Sequence, residues 1–143
     1  MKRLNTKYIV IHCSDTPSTM DIGAKEIREW HTAAPPHGNG WKDIGYHYVI
    51  RRNGVIEEGR EIEEVGSHVK GFNSSSVGIC MVGGRHGNND FTKLQFETLE
   101  GLIKRLAAKY PEAVIVGHRD LATGKQCPSF DVQDWLETVT GVE

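Results

Sequence analysis

Two short, unbroken apolar runs constrain the fold of this chain more than any other feature. Tyr8-Ile9-Val10-Ile11 ends in His12, and Ala113-Val114-Ile115-Val116 reaches His118 across Gly117. Neither run alternates with polar residues, so neither has a solvent-facing side. Short, β-branched apolar runs of this kind read as strands buried on both faces, as in sheets covered by helices. Each run therefore delivers an imidazole to the end of a central strand. Beyond His118 come Arg119-Asp120, a loop containing Gly124, and Cys127 directly ahead of Pro128. A thiol that returns so soon after a strand-end imidazole makes either a metal site or a Cys/His nucleophile pair. With His12 added there are two imidazoles and one thiol. Three protein ligands with a fourth position open is the form of a catalytic zinc centre. Taken singly, each residue also has a plainer reading: His12 as a hydrogen-bonded structural histidine, His118 in an ion-paired turn with Arg119 and Asp120, Cys127 as a small core residue.

Between the two runs, strand and helix patterns alternate. Asp21 is a candidate N-cap for a helix over 22–33, with Ile27, Trp30, His31 and Ala34 on one face and Pro35-Pro36 as its stop. Residues 46–51 predict a second strand, Arg52-Asn53-Gly54 a hairpin turn, and 55–58 the returning strand. Gly59 to Ser76 is polar and Gly-containing and reads mostly as loop. Val77 to Val82 is another apolar strand, followed by a surface loop from Gly83 to Asp90. Thr92-Lys93-Leu94-Gln95 is a capping box that opens a helix over 92–109. Leu99, Leu102, Ile103, Leu106 and Tyr110 form its buried stripe, and Pro111 stops it. A last helix is expected over 131–140, with Trp135 and Leu136 facing inward. With no repeat and no linker, the whole of 1–143 reads as one α/β domain, a mixed central sheet flanked by helices.

Composition excludes several classes of function. A chain of 143 residues buries roughly two-thirds of its unfolded surface in one core. Net charge is −2 and no basic block occurs, so a phosphate-tracking nucleic-acid surface is not expected. The apolar run after Lys2, Arg3 and Lys7 is too short for a signal-peptide core or a membrane span. Synthesis in the cytoplasm without an export signal, and no membrane insertion, are the expectations. Three cysteines (Cys13, Cys80, Cys127) argue against a disulfide framework and leave at least one thiol for metal or reactivity. Gly83-Gly84 with Gly87 lacks the lysine and hydroxyl residue of a phosphate loop, so it is not a nucleotide site.

Several blocks, taken in order, carry a resemblance. They are His12-Cys13-Ser14, Glu26-Ile27-Arg28-Glu29-Trp30-His31, Gly45-Tyr46-His47-Tyr48-Val49-Ile50, Val65-Gly66-Ser67-His68, Gly78-Ile79-Cys80-Met81-Val82-Gly83-Gly84, and Lys125-Gln126-Cys127-Pro128-Ser129-Phe130-Asp131. Together they resemble the zinc-dependent N-acetylmuramoyl-L-alanine amidases, above all their amidase-type phage lysozymes; peptidoglycan recognition proteins are more distant relatives of the same fold. The resemblance implies one zinc ion per chain on His12, His118 and Cys127, with Tyr46 and Lys125 at the catalytic centre. It implies hydrolysis of the amide between the lactyl group of muramic acid and L-alanine of the stem peptide. Tyr46 would position water or hydrogen-bond the tetrahedral intermediate, and Lys125 would stabilise the developing oxyanion. His68 would line the substrate groove, with an exposed loop histidine as the competing reading; Asn73, before Ser74-Ser75-Ser76, is a weaker substrate contact and more simply a turn former. His47 would fix its strand; His31, His37 and His86 are left to surface or packing, and Cys13 and Cys80 to the core. Residues 33–40 form a longer connection than in the phage enzymes, and Arg119-Asp120 replaces their histidine and glutamate. A polymerase contact of the phage enzyme has no matching surface residues and is not carried over.

The expected partner is peptidoglycan or a muropeptide, met at the cell wall after release or delivery by a lytic enzyme of the phage endolysin kind, with monomer as the default state. Two other readings compete. In a Cys/His peptidase Cys127 attacks and His118 is the base, which leaves His12 without a role. A recognition module would bind muropeptide without cutting it, although relatives of that kind typically lack the metal thiol.

Overall fold

The computed structural model describes residues 1–139 of the chain. Its centre is β1, Tyr8–Cys13, which lies between two parallel neighbours. On one side is β4, Ser76–Met81, and on the other β5, Val114–Gly117. Beyond β4 lies β2, Tyr48–Ile50, also parallel, and β3, Ile56–Glu58, pairs with β2 in the antiparallel sense. The order is β3-β2-β4-β1-β5, a mixed sheet with a parallel middle. This is the architecture expected from unbroken apolar runs.

Period-2 alternation sorts β1 between the two faces. Ile9 and Ile11, with Val77, Ile79 and Met81 of β4 and Ile115 of β5, point into the larger core. The helix α2, Lys93–Lys109, covers that face with Leu99, Leu102, Ile103 and Leu106, each at most 3% exposed. Its cap is the expected one: Thr92 Oγ1 accepts from Gln95 N–H at 3.1 Å, and Gln95 Oε1 accepts from Thr92 N–H at 2.9 Å. Val10 points to the opposite face, where it packs with Val69 and Val116, while Val49, Cys80 and Val82 pack beneath the helix α1, Ala24–Thr32. His12 shares the parity of Val10, so it emerges on this second face, away from α2.

Several expected boundaries shift. Gly23, not Asp21, is the N-cap of α1. Glu26 Oε1 accepts from Gly23 N–H at 2.8 Å and Glu57 Oε1 accepts from Ala24 N–H at 2.7 Å, which leaves Asp21 to pair with Arg51. Ile27 is buried, but Trp30 and Ala34 of the expected inward face are exposed, because α1 covers only the edge of the sheet near β2. Tyr46 and His47 precede β2 and are not part of it. Gly83 and Gly84 are buried under Phe91 and Cys13, so the loop reaches the surface only at Arg85. The last helix, α4, is the short Val132–Leu136; the Thr140 end of the longer expected helix lies outside the described residues. Among the described residues no helix is long and apolar enough to cross a membrane.

Candidate metal centre and substrate groove

Parallel pairing brings the two histidines together. Ile11 is in register with Gly117, so His12 and His118 leave adjacent strand ends side by side, with ring centroids 4.6 Å apart. Ligands gather at the carboxyl ends of parallel strands for this reason. Cys127 arrives by a local device. His118–Leu121 does not begin a loop, as the sequence suggested, but forms one helical turn, α3. Asp120 Oδ2 accepts from Gly117 N–H at 2.7 Å, which closes that turn. The chain then folds back so that Arg119 N–H donates to Cys127 O at 2.8 Å. Gly117 makes the return possible: a Cβ there would lie 2.8 Å from Pro128 Cδ and 3.0 Å from Val132. The donor atoms of His12, His118 and Cys127 end within 4.8 Å of one another.

These residues fit a metal ion. Donors on a tetrahedral ion at 2.0–2.3 Å sit roughly 3.5 Å apart, so a small contraction closes the set. His12 is 1% exposed, and its Nε2 is taken by His68 Nδ1 at 2.8 Å, which leaves Nδ1 as its free ring nitrogen. Burial, and then the neighbouring imidazoles of His68 and His118, hold His12 well below the usual histidine range. His118 is also lowered, by burial and then by the charge of Lys125. Both rings are therefore neutral, with lone pairs available for ligation. Cys127 Sγ accepts from Cys13 N–H at 3.0 Å, a contact that favours thiolate. Without a cation the contact between the two thiols, followed by burial, pushes the Cys127 thiol up, while the same contact lowers Cys13 to about 7. Cys127 is the thiol grouped with both imidazoles, so it is the one that would serve as the thiolate donor if an ion were held there. Two imidazoles and a thiolate suit a borderline transition metal and not a hard ion such as Mg²⁺ or Ca²⁺.

The centre lies where two clefts meet. One, of about 470 Å³, is bordered by Cys13, Asp15, Gly84, Gln126 and Ser129. The other, of about 640 Å³, is bordered by His31, Trp41, Ser67, Lys70, Asn73 and Ala122. Tyr46, His68, His118 and Lys125 line both, so the two form one groove that passes over the ligands. The Tyr46 ring is 5.1 Å from that of His12. Burial, reinforced by the thiols of Cys80, Cys127 and Cys13, raises its phenol well above the ordinary value, so it stays protonated and able to donate.

His68 and Asn73 border the groove, but both also have structural partners. Asn73 Oδ1 accepts from the His68 and Val69 N–H groups, each at 2.8 Å, as a turn-forming asparagine does. His47 fixes its segment as expected, with Nδ1 accepting from Gly78 N–H at 3.0 Å and Nε2 bonded to Glu64 O at 2.8 Å. Sequence reasoning placed His31 and Cys13 away from the site, and the structure puts both on its wall. His31 Nδ1 accepts from Gly45 N–H at 2.9 Å, and its ring packs against Trp41 and Tyr46 at 4.8 and 5.6 Å. The available signal was positional: His31 closes one of the resembling blocks, and Cys13 directly follows a ligand.

Comparison with known proteins agrees with this geometry. The family description "N-acetylmuramoyl-L-alanine amidase" matches residues 2–130. The chain belongs to this amidase family. The amidase is 49% identical over 141 residues to an endolysin of Enterobacteria phage K11, covering 96% of this chain and 89% of that protein. It is 42% identical over 140 residues to an endolysin of Escherichia phage T7, covering 95% and 89%. Among solved structures it superposes on the N-acetylmuramoyl-L-alanine amidase LysC from Clostridium intestinale URNW with a TM-score of 0.81 and 29% identity, covering 95% of this chain and 86% of that one.

Proposed function

We propose that this amidase is a zinc-dependent, endolysin-type enzyme that hydrolyses the amide between N-acetylmuramic acid and L-alanine of the peptidoglycan stem. The observation that carries the reading is the grouping of the His12, His118 and Cys127 donors within 4.8 Å at the floor of a groove lined by Tyr46 and Lys125. His12, His118 and Cys127 would hold the ion. The chemistry it supplies when bound is polarisation of the amide carbonyl and acidification of a water to a pKa of about 7. The chain's own groups do the rest. The groove presents the scissile amide between its two clefts, with sugar on one side and peptide on the other. Tyr46, held protonated, donates a hydrogen bond to the oxygen on which charge develops. Lys125, exposed at the rim and lining both clefts, adds a positive charge to the same region. Cys127 is a poor candidate nucleophile, because that reading leaves His12, whose ring donor belongs to the same group within 4.8 Å, without a role. The enzyme is taken to act as a monomer on the wall, after release or delivery.

The test is metal content together with end-group analysis of digested peptidoglycan. About one zinc per chain, activity lost to a chelator and restored by zinc, and new L-alanine N-termini are expected. Full cleavage by metal-free protein would overturn the zinc reading. Wall binding by zinc-loaded protein without fragment release would make the chain a receptor.

A further inference from the structure

One side chain of the groove is engaged beyond anything that substrate contact requires. His68 sits at the middle of a continuous hydrogen-bond chain. His12 Nε2 lies 2.8 Å from His68 Nδ1, His68 Nε2 lies 3.2 Å from Ser76 Oγ, and Ser76 Oγ lies 2.8 Å from the carbonyl oxygen of Phe72. The last link decides the direction of all the others. A carbonyl only accepts, so a hydroxyl oxygen 2.8 Å from it must direct its hydrogen there. Ser76 Oγ then offers only lone pairs to His68, so His68 carries its hydrogen on Nε2. His68 Nδ1 is left as an acceptor, and His12 must donate to it from Nε2. Each neutral imidazole carries one hydrogen, so His12 Nδ1 is left bare.

We propose that His68 and Ser76 are positioning residues for the amidase centre: with the Phe72 carbonyl they fix His12 in the tautomer that presents Nδ1 to the metal ion. The proposal rests on His12 being a ligand, as argued above. Ligating histidines ordinarily donate their second N–H to a carboxylate or carbonyl. Here a second imidazole stands in between and moves the obligatory acceptor two side chains away.

The surroundings hold this arrangement without an ion. Ser76 is fully buried and His12 is 1% exposed, so both ends of the chain are closed to solvent and only the half-buried ring of His68 borders the groove. His68 lies on a glycine bed: a Cβ on Gly78 would come within 2.7 Å of its Cγ and Nδ1, and one on Gly66 within 2.8 Å of its Cδ2. The grip of Asn73 on His68 N–H and Val69 N–H fixes the turn that carries the ring. His47 packs against His68 with centroids 5.7 Å apart, but both of its nitrogens are already committed elsewhere.

Three measurements on the full chain test the proposal. Long-range proton–nitrogen NMR on the metal-free protein should show His12 as the Nε2–H tautomer, and Ser76→Ala should give a mixture. Zinc affinity, measured by competition with a chromophoric chelator, should fall about 10–100-fold in His68→Phe and recover in His68→Asn, which restores an acceptor near Nδ1. Thermal unfolding of the metal-free variants separates this effect from loss of fold. An Nδ1–H tautomer of His12 in the metal-free wild type overturns the relay, and that measurement needs no variant. Zinc bound equally well by wild type, His68→Phe and Ser76→Ala also overturns it, leaving the zinc reading intact. Wild type that binds no zinc, or His12→Ala that binds it undiminished, sinks the zinc reading and the positioning role with it.

Discussion

At the residue scale the proposed function separates residues that would hold an ion from residues that would act on substrate. Cys127→Ala removes the only anionic donor of the set and is expected to abolish stoichiometric zinc binding, read by metal analysis. Tyr46→Phe removes a hydroxyl held protonated and should keep zinc while kcat falls about 10²–10³-fold. Retained turnover in Tyr46→Phe would assign the ring to packing against His12 and His31 alone. His47 makes a different prediction, about pH. Burial lowers it to about 4, against about 6.5 in the unfolded chain. Between those values the unfolded state binds more protons, so the stabilisation from neutral His47 is complete above pH 6.5 and is lost as pH falls toward 4. Its Nδ1 accepts from Gly78 N–H, and a protonated ring would set two donors against each other. Urea unfolding of the metal-free protein should show stability falling below pH 6.5, with a shallower slope in His47→Asn. These roles were unevenly legible in the sequence. The grouping of His12, His118 and Cys127 was legible from their positions at strand ends and before Pro128. The second bond of His68 did not, because a side chain's partner is chosen by packing between distant segments.

At the scale of elements, α2 was legible because local chemistry and burial agree on it. Thr92 and Gln95 cap it reciprocally and its apolar stripe keeps the helical period. Thr92→Ala should cost about 1 kcal/mol, and Leu99→Ala, at a fully buried position, about 3 kcal/mol, both measured by chemical denaturation. Neither change should alter zinc content, since α2 covers the sheet face opposite the ligands. The start of α1 misled for a physical reason. Asp21 has the right chemistry for a cap, but Glu57 from the neighbouring hairpin supplies the acceptor at Ala24 N–H, so Gly23 serves as the N-cap. The turn after His118 was hidden by similar means: its closure depends on Asp120 reaching back to Gly117 and on Arg119 gripping the Cys127 carbonyl. Gly117→Ala should therefore damage the site more than the strand. Its Cβ would push Pro128 outward, and zinc affinity should drop while circular dichroism keeps the native sheet signal.

At the scale of the whole molecule, the centre joins β1 to β5 and the returning loop, which lie more than a hundred residues further along the sequence. An ion bound only by the folded state adds stability by mass action, about 4 kcal/mol when zinc stands a thousandfold above its dissociation constant. Chelation should then lower the midpoint of thermal unfolding by about 10 °C, reversibly on adding zinc. An unchanged midpoint would mean that the site is not assembled around an ion. The sequence by itself determined the parts: buried strands from unbroken apolar runs, the long helix from its cap and stripe, and the donors from residue types that few other chemistries need. Those are properties of short windows, where period and side-chain chemistry act over a few residues. Only the tertiary structure decided which parts meet. The register of Ile11 with Gly117, the fold-back of Cys127 under a glycine, and the link from His12 through His68 to Phe72 all depend on long-range pairing. There the requirement that every buried polar group find a partner selects one arrangement among many that the local pattern allows.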